Sequence, residues 1–201
     1  MSDNNCNINN KDNDNNNYGA SSSSAYKPRA VPTTPSSLES GGSITKYIAK
    51  DAKIGNNVKI WHFAYVGSKT EIGDNVMIGS LTHIDYNVKI GDNTRIEGCV
   101  YIPPLTVIGK NVFIGPAAAF TNDPYPMSPK MVGVKVEDNA IIGGRAVFKA
   151  GVNVGKFSVV AMGSVVTKDV PANSVVMGHP AKVVYSRAEY DRKKKEWESK
   201  G

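Results

Sequence analysis

Cysteine is nearly missing: Cys6 and Cys99 are the only two in 201 residues. Two thiols cannot build a disulfide framework, so a stapled extracellular scaffold is excluded and a reduced setting is expected. No apolar run approaches the roughly eighteen residues that a membrane-spanning helix needs. The amino terminus lacks the basic-then-apolar pattern of an export signal, which makes the cytoplasm the expected location. Histidine is scarce, with His62, His83 and His179 alone, so metal chemistry has few ligands to draw on. Acid is in modest deficit, 18 Asp and Glu against 24 Lys and Arg, for a net charge of +6. Such a balance leans toward anionic partners. The basic run Lys193-Lys194-Lys195 reads as a solvated helix face, and no nucleic-acid motif accompanies it.

Residues 1–43 are poor in large apolar side chains. Nine of the first seventeen residues are Asn, followed by a Ser run and a Pro/Ser/Thr stretch. This composition cannot offset its own chain entropy, so the segment is expected to be a disordered tail without a catalytic role.

From Ile48 onward the chain acquires a strict period. Ile48, Ile54, Ile60, Val66, Ile72, Ile78 and every sixth residue through Ile114 and Phe120 are large and apolar. Four residues after each of the first twelve stands Ala, Val or Thr, from Ala52 to Ala118. No helix or two-faced strand repeats every six residues over such a length, but a short strand followed by a tight turn does. In Thr82-His83-Ile84, alternation turns Thr82 and Ile84 inward and His83 outward. Gly, Asn and Asp then supply the corner. Three units close a coil of eighteen residues, and stacked coils pair strand on strand at roughly 4.8 Å. The pattern predicts an all-β parallel solenoid of six to seven coils.

The period lapses after Phe120 and resumes near Val136, continuing through Ile142, Phe148, Val154, Val160, Val166 and Ala172. Between them lies a Pro-rich excursion, residues 121–135, and such an interruption is more often functional than structural. The solenoid is expected over 44–185. A C-terminal segment, 186–201, follows, with a helix from about 186 to 199. Ser186 and Glu189 have capping-box spacing there, and Tyr190 and Trp197 share a face.

The repeat of Ile or Val, Gly, two residues and a small residue resembles the left-handed β-helix of hexapeptide-repeat acyltransferases, across about residues 44–185. The left hand is what the resemblance implies, against the usual right-handed crossover. Within the family, WHF (61–63) and FIGPAAAFTNDPYPMS (113–128) are similar to nucleotide-sugar N-acetyltransferases that act on 3-amino sugars. Their substrates include UDP-2-acetamido-3-amino-2,3-dideoxy-glucuronate and dTDP-3-amino-3,6-dideoxyhexoses. The resemblance implies a cytoplasmic homotrimer that binds acetyl-CoA in a groove between neighbouring solenoids, needs no metal, and serves cell-surface glycan precursor synthesis.

Counting in eighteens puts Tyr65, His83, Tyr101 and Ala119 in one outward column that leads up to the excursion. His83 is therefore a catalytic candidate, with an ordinary contact between copies as its other reading. Asn122 and Asp123 stand where other members of the superfamily often carry a catalytic His. Acetylation of a sugar amine needs a neutral amine, an oxyanion site and a proton acceptor. Asn122 would orient the amine and Asp123 would accept its proton, unless the pair only shapes a turn. His62, Tyr101, Tyr125 and Lys130 are the candidates for substrate contact, although His62 beside Trp61 is also consistent with corner packing. Gly143 and Ala161 allow close approach of a pantetheine chain, and Arg145, Lys168 and Lys182 could meet the phosphates of CoA.

One departure stands out. Members of this subfamily often carry Arg after the second Pro of the excursion, and this chain has Met127. That weakens the expectation of an acidic sugar. The γ-class carbonic anhydrases share the fold but need three converging His, which these spacings do not supply. O-acetylation of a hydroxyl and a non-catalytic scaffold are the remaining alternatives.

Overall fold

The computed structural model describes residues 46–200. The expected tail at 1–43, Cys6 and solenoid positions 44 and 45 lie outside them. The chain winds as a three-faced parallel β-solenoid. Two-residue strands run from β1 (Tyr47–Ile48) to β19 (Val165–Val166), one per hexad. The first face has seven strands, so the chain passes it seven times, in line with the six to seven coils expected. Its outward column is Tyr47, Tyr65, His83, Tyr101, Ala119, Val147 and Val165. The second face carries Lys53, Glu71, Lys89, Val107, Lys135 and Asn153. The third begins Lys59, Met77, Arg95, Phe113.

Inward positions behave as the period requires. Thr82 and Ile84 are buried, as are the Ile ladder from Ile72 to Ile114 and the small residues that alternate with it. The corners need left-handed backbone. Asn57, Asn75, Asn93, Asn111 and Asn139 take it with φ between 54° and 61°, a conformation Asn tolerates better than most residues. Their side chains form a ladder, with Asn57 Nδ2 donating to Asn75 Oδ1 at 3.3 Å and Asn75 Nδ2 to Asn93 Oδ1 at 3.2 Å. Glycine at the corner is imposed by the coil above: a Cβ on Gly91 would meet the carbonyl carbon of Gly109 at 2.7 Å.

The excursion is an insertion of ten residues. Paired strands below it differ by eighteen positions, as in Lys89 with Val107, whereas Val107 pairs with Lys135 and Phe113 with Ile141, twenty-eight apart. The chain leaves after β13 (Ala119–Phe120) and returns at β14 (Lys135–Val136). Phe120 and Phe148 stack across the break at 4.7 Å, both fully buried. Gly133 seals the return, since a Cβ there would lie 1.9 Å from the Leu105 carbonyl oxygen.

The excursion also interrupts a threonine series. Thr70, Thr82 and Thr94 donate through Oγ1 to the carbonyls of Asp85, Glu97 and Gly109, each fifteen residues on, at 2.7–2.9 Å. Thr106, twelve residues after Thr94, is equally buried, yet its Oγ1 has no partner. The carbonyl fifteen residues on belongs to Thr121, where the chain leaves the solenoid.

The last coil departs from the expected ladder. Val154 bridges to Val170 and Val159 pairs with Val175, sixteen apart rather than eighteen. Val170, not Ala172, therefore occupies the core position, and Ala172 is exposed. The shortened corner is tied by Asp169, whose Oδ1 accepts from the Asn153 amide at 2.8 Å. The parallel winding ends in an antiparallel hairpin of β20 (Ser174–Gly178) and β21 (Ala181–Ser186), so 181–185 is not a further coil. Helix α1 spans Arg187–Glu198 with Ser186 as N-cap. The capping is one-sided: Ser186 Oγ accepts from the Glu189 amide, while the Glu189 carboxylate pairs with Lys193. Arg187 Nη1 donates to the carbonyls of Asn139 and Phe157, which fixes the start of the helix on the solenoid. Trp197, near its end, is 78% exposed.

Candidate functional site

The root of the excursion sits at the corner between the first and second faces. Asn122 lies directly above Pro104, eighteen residues earlier. Its Nδ2 donates to the Pro104 carbonyl at 3.4 Å and faces Met131 Sδ at 3.3 Å. Its backbone carbonyl accepts from the Val132 amide at 2.7 Å, which closes the loop across its base. The amide side of Asn122 is thus held by the protein, while its Oδ1 takes no hydrogen bond among the described residues. That oxygen can accept from an amine or hydroxyl placed at the corner.

Asp123 is differently occupied. Oδ1 accepts from the Tyr125 amide at 2.9 Å and Oδ2 from the Ser128 amide at 3.0 Å. Both oxygens fold the loop back on itself, the turn-forming arrangement that the sequence left open. Tyr125 and Met127 project from the loop, 83% and 99% exposed, and Lys130 is exposed beside them.

His83 lies on the first face two coils below Ala119, roughly 10 Å along the axis. Its ring stacks on Tyr65 at 4.5 Å with planes 11° apart and meets Tyr101 on the other side at 5.6 Å. The sequence reading missed its neighbour Asp85, whose Oδ2 is 3.8 Å from His83 Nε2. Burial first, then the charge of Asp85 and the proximity of Tyr86, push the Tyr101 hydroxyl above its ordinary value of 10.0. His83, Asp85, Tyr86 and Tyr101 thus form one polar cluster below the excursion root. The signal available in the sequence was the eighteen-residue step: Gly67, Asp85, Pro103 and Thr121 share a column, and Asp85 is its one acid.

His62 does not join this cluster. It is exposed at the corner between the third and first faces, where its carbonyl accepts from the Leu81 amide at 3.1 Å. Trp61 beside it walls a shallow depression of about 220 Å³ with Met77, Ser80 and the Arg95–Glu97 ion pair at 2.6 Å. His179 sits in the turn between β20 and β21, so the three histidines occupy separate places. Among the described residues no three His, Cys, Asp or Glu stand close enough to hold a metal ion.

The cofactor candidates divide. Gly143, Arg145 and Ala161 share the corner between the third and first faces in the upper coils, with Met162 exposed beside them. A Cβ on Gly143 would meet the Met162 amide at 2.3 Å, so glycine is required by stacking there. The amides of Gly143 and Ala161 donate to Val160 and Val176 in the next coil, so their N–H groups are committed to the solenoid. Their carbonyls also accept, from Ala146 and Ser164, and Arg145 is exposed beside them. Lys168 is exposed at a different corner and Lys182 on β21.

Comparison with known proteins follows the same outline. The model of the bacterial transferase hexapeptide (six repeats) matches residues 51–84 and 69–104, and that of the hexapeptide repeat of succinyl-transferase matches 133–168. A 2,3,4,5-tetrahydropyridine-2,6-dicarboxylate N-acetyltransferase of Staphylococcus aureus is 46% identical over 88 residues, 44% of this chain and 36% of that protein. The chain thus spans about a third of the length of that relative. Among solved structures, a hexapeptide-repeat acetyltransferase of Vibrio cholerae O1 biovar eltor, complexed with acetyl coenzyme A, is 30% identical. The match covers 57% of this chain and 69% of that one, with a TM-score of 0.51.

Proposed function

The chain belongs to the hexapeptide-repeat transferase family, and on that premise we propose that it is an acetyl-CoA-dependent N-acetyltransferase acting on a nucleotide-linked 3-amino sugar. The observation that carries the site is the free Oδ1 of Asn122 at the excursion root, above a first face that holds His83. The acetyl-CoA complex of the Vibrio relative supports the donor, and the N-acetyltransferase of Staphylococcus supports an amine as acceptor. The nucleotide-linked sugar rests on the WHF and FTNDPYPMS strings.

Asn122 Oδ1 accepts a hydrogen bond from the acceptor and orients it. The amine attacks the thioester carbonyl, and its proton passes to an acceptor on the first face. Asp123 is poorly suited to receive it, because its two oxygens already hold the loop, and His83, two coils below the root, receives it through water rather than directly. The exposed Tyr47 and Tyr101 on that face would be covered by a neighbouring copy in a homotrimer. Arg145 at the upper corner is the cation placed to meet a CoA phosphate, with Lys168 and Lys182 as further contacts.

A panel of UDP- and dTDP-linked amino sugars with acetyl-CoA, read by free thiol release, tests the proposal. Turnover with at least one 3-amino sugar is expected. Turnover only with 2,3,4,5-tetrahydropyridine-2,6-dicarboxylate, the acceptor in the name of the Staphylococcus relative, would move the assignment to that acceptor class.

A further inference from the structure

The Asn122 carboxamide has two N–H donors on Nδ2, and each needs an acceptor. One of them substitutes for the main chain. In regular corners a carbonyl of one coil accepts from a main-chain amide of the next: Ser68 from Asn87 and Ser80 from Cys99 at 2.9 Å, Gly98 from Ala117 at 3.0 Å. Each donor stands nineteen residues after its acceptor. Pro104 holds the equivalent corner place one coil below the excursion, and nineteen residues on is Asp123, which has already left the solenoid. The Pro104 carbonyl accepts from Asn122 Nδ2 instead, at 3.4 Å.

Met131 is the second acceptor. Its Sδ lies 3.3 Å from Asn122 Nδ2, and a thioether can only accept. The winding has no use for this side chain, which is 39% exposed on the return limb of the excursion. The limb is nevertheless pinned at the next residue. The Val132 amide donates to the Asn122 carbonyl at 2.7 Å, and a Cβ on Gly151 would meet Val132 Cγ1 at 3.2 Å, so Val132 also rests on the coil above. Met131 is thereby kept beside the carboxamide by the main chain of both limbs.

Two acceptors and no donor thus face the Nδ2 end. Turning the carboxamide over would set Oδ1 against a carbonyl and a sulfur and strip both N–H groups of their partners. Engaging the donors also polarises the group and makes Oδ1 a stronger acceptor.

We infer that Met131 is a positioning residue, whose thioether fixes the Asn122 carboxamide so that Oδ1 rather than Nδ2 is presented to the amine of the acceptor sugar. The inference rests on the N-acetyltransferase reading. Presented the other way, the carboxamide would donate an N–H toward the nitrogen lone pair that must attack the thioester, and would compete with the reaction.

Met131→Leu and Met131→Gln separate an acceptor from a filler of space. Leu keeps an apolar side chain without an acceptor, whereas Gln keeps an acceptor oxygen on a polar one. The assay uses the full chain, acetyl-CoA and the 3-amino sugar nucleotide that the wild type turns over. Met131→Leu is expected to lower kcat/KM for the sugar roughly tenfold, the worth of one neutral hydrogen bond, while the KM for acetyl-CoA does not move. Met131→Gln is expected to keep most of the wild-type rate. In an Asn122→Ala background, Met131→Leu is expected to cost nothing further. Unchanged turnover in Met131→Leu, an equal loss in Met131→Gln, or a Met131→Leu loss that persists without Asn122 would overturn the inference alone. A folded wild type that acetylates no 3-amino sugar would overturn the underlying reading and the inferred role together.

Discussion

Thr94 and Thr106 are twelve residues apart, equally buried and chemically identical, yet one is bonded and the other is not. Replacing Thr94 by Val removes the hydroxyl that serves the Gly109 carbonyl and is expected to destabilise the fold by about 1–3 kcal/mol. The same change at Thr106 removes a hydroxyl with nothing to serve, and is expected to be neutral or stabilising by about 1 kcal/mol. Urea midpoints at unchanged m-value decide this, and equal losses at the two sites would contradict it. At the site, Asn122→Ala is expected to abolish most transfer while leaving the melting profile intact, because the hydrogen bonds its side chain makes among the described residues are the long ones to Pro104 and Met131. Individual residues were only partly legible. The outward column of Tyr65, His83 and Tyr101 followed from counting, since a fixed period determines facing. That Asp123 would give both oxygens to its own loop did not follow, because nothing in the period describes a segment that leaves it.

The excursion is separable from the solenoid on paper. Removing residues 123–132 joins Asn122 to Gly133 and restores the hexad, with Val134 at the small position and Val136 six residues after Phe120. Such a shortened chain is expected to keep its β-rich circular dichroism and cooperative melting while losing acetyl transfer. Loss of folding would show that the loop holds the coils together. The hexads were readable because each meets the same geometric demand, with an inward aliphatic, an inward small residue and a corner. The end was not. Ala172 fits the period by number, but the corner before it is two residues shorter, so Val170 fills the core. Strand β21 was hidden because a short apolar run after a turn reads equally well as a last rung or as a returning strand.

Across the solenoid, several exposed charges are paired between neighbouring coils, as in Lys53 and Lys89 with Glu71 and Lys110 with Asp92. The Lys53 hydrogen bond, aided by the charges of Lys53 and Lys89, holds Glu71 below its ordinary 4.5. Lys110 holds Asp92 below 3.8 and is itself raised above 10.5 by that partner. For the acids, folded values below unfolded ones mean stabilisation present above the ordinary values and lost as pH falls through the folded ones. For Lys110 the stabilisation is present below 10.5 and lost as pH rises through its raised value. Thermal midpoints are therefore expected to be flat near neutrality and to decline below about pH 4.5 and above about pH 10.5. Lys110→Met should soften both declines while changing little at neutral pH, because surface pairs contribute little there. A midpoint that rises steadily into acid would contradict this.

The central claim is that an acetyl group moves from CoA to a nitrogen at the excursion root, and the product itself reports on it most directly. Acceptor sugar recovered after incubation with acetyl-CoA and the full chain is analysed by mass spectrometry before and after hydroxylamine, which cleaves esters and spares amides. One added acetyl group that survives hydroxylamine, formed by wild type and not by Asn122→Ala, is the predicted result. An acetyl group removed by hydroxylamine, or a resistant one formed equally well without Asn122, would contradict the account.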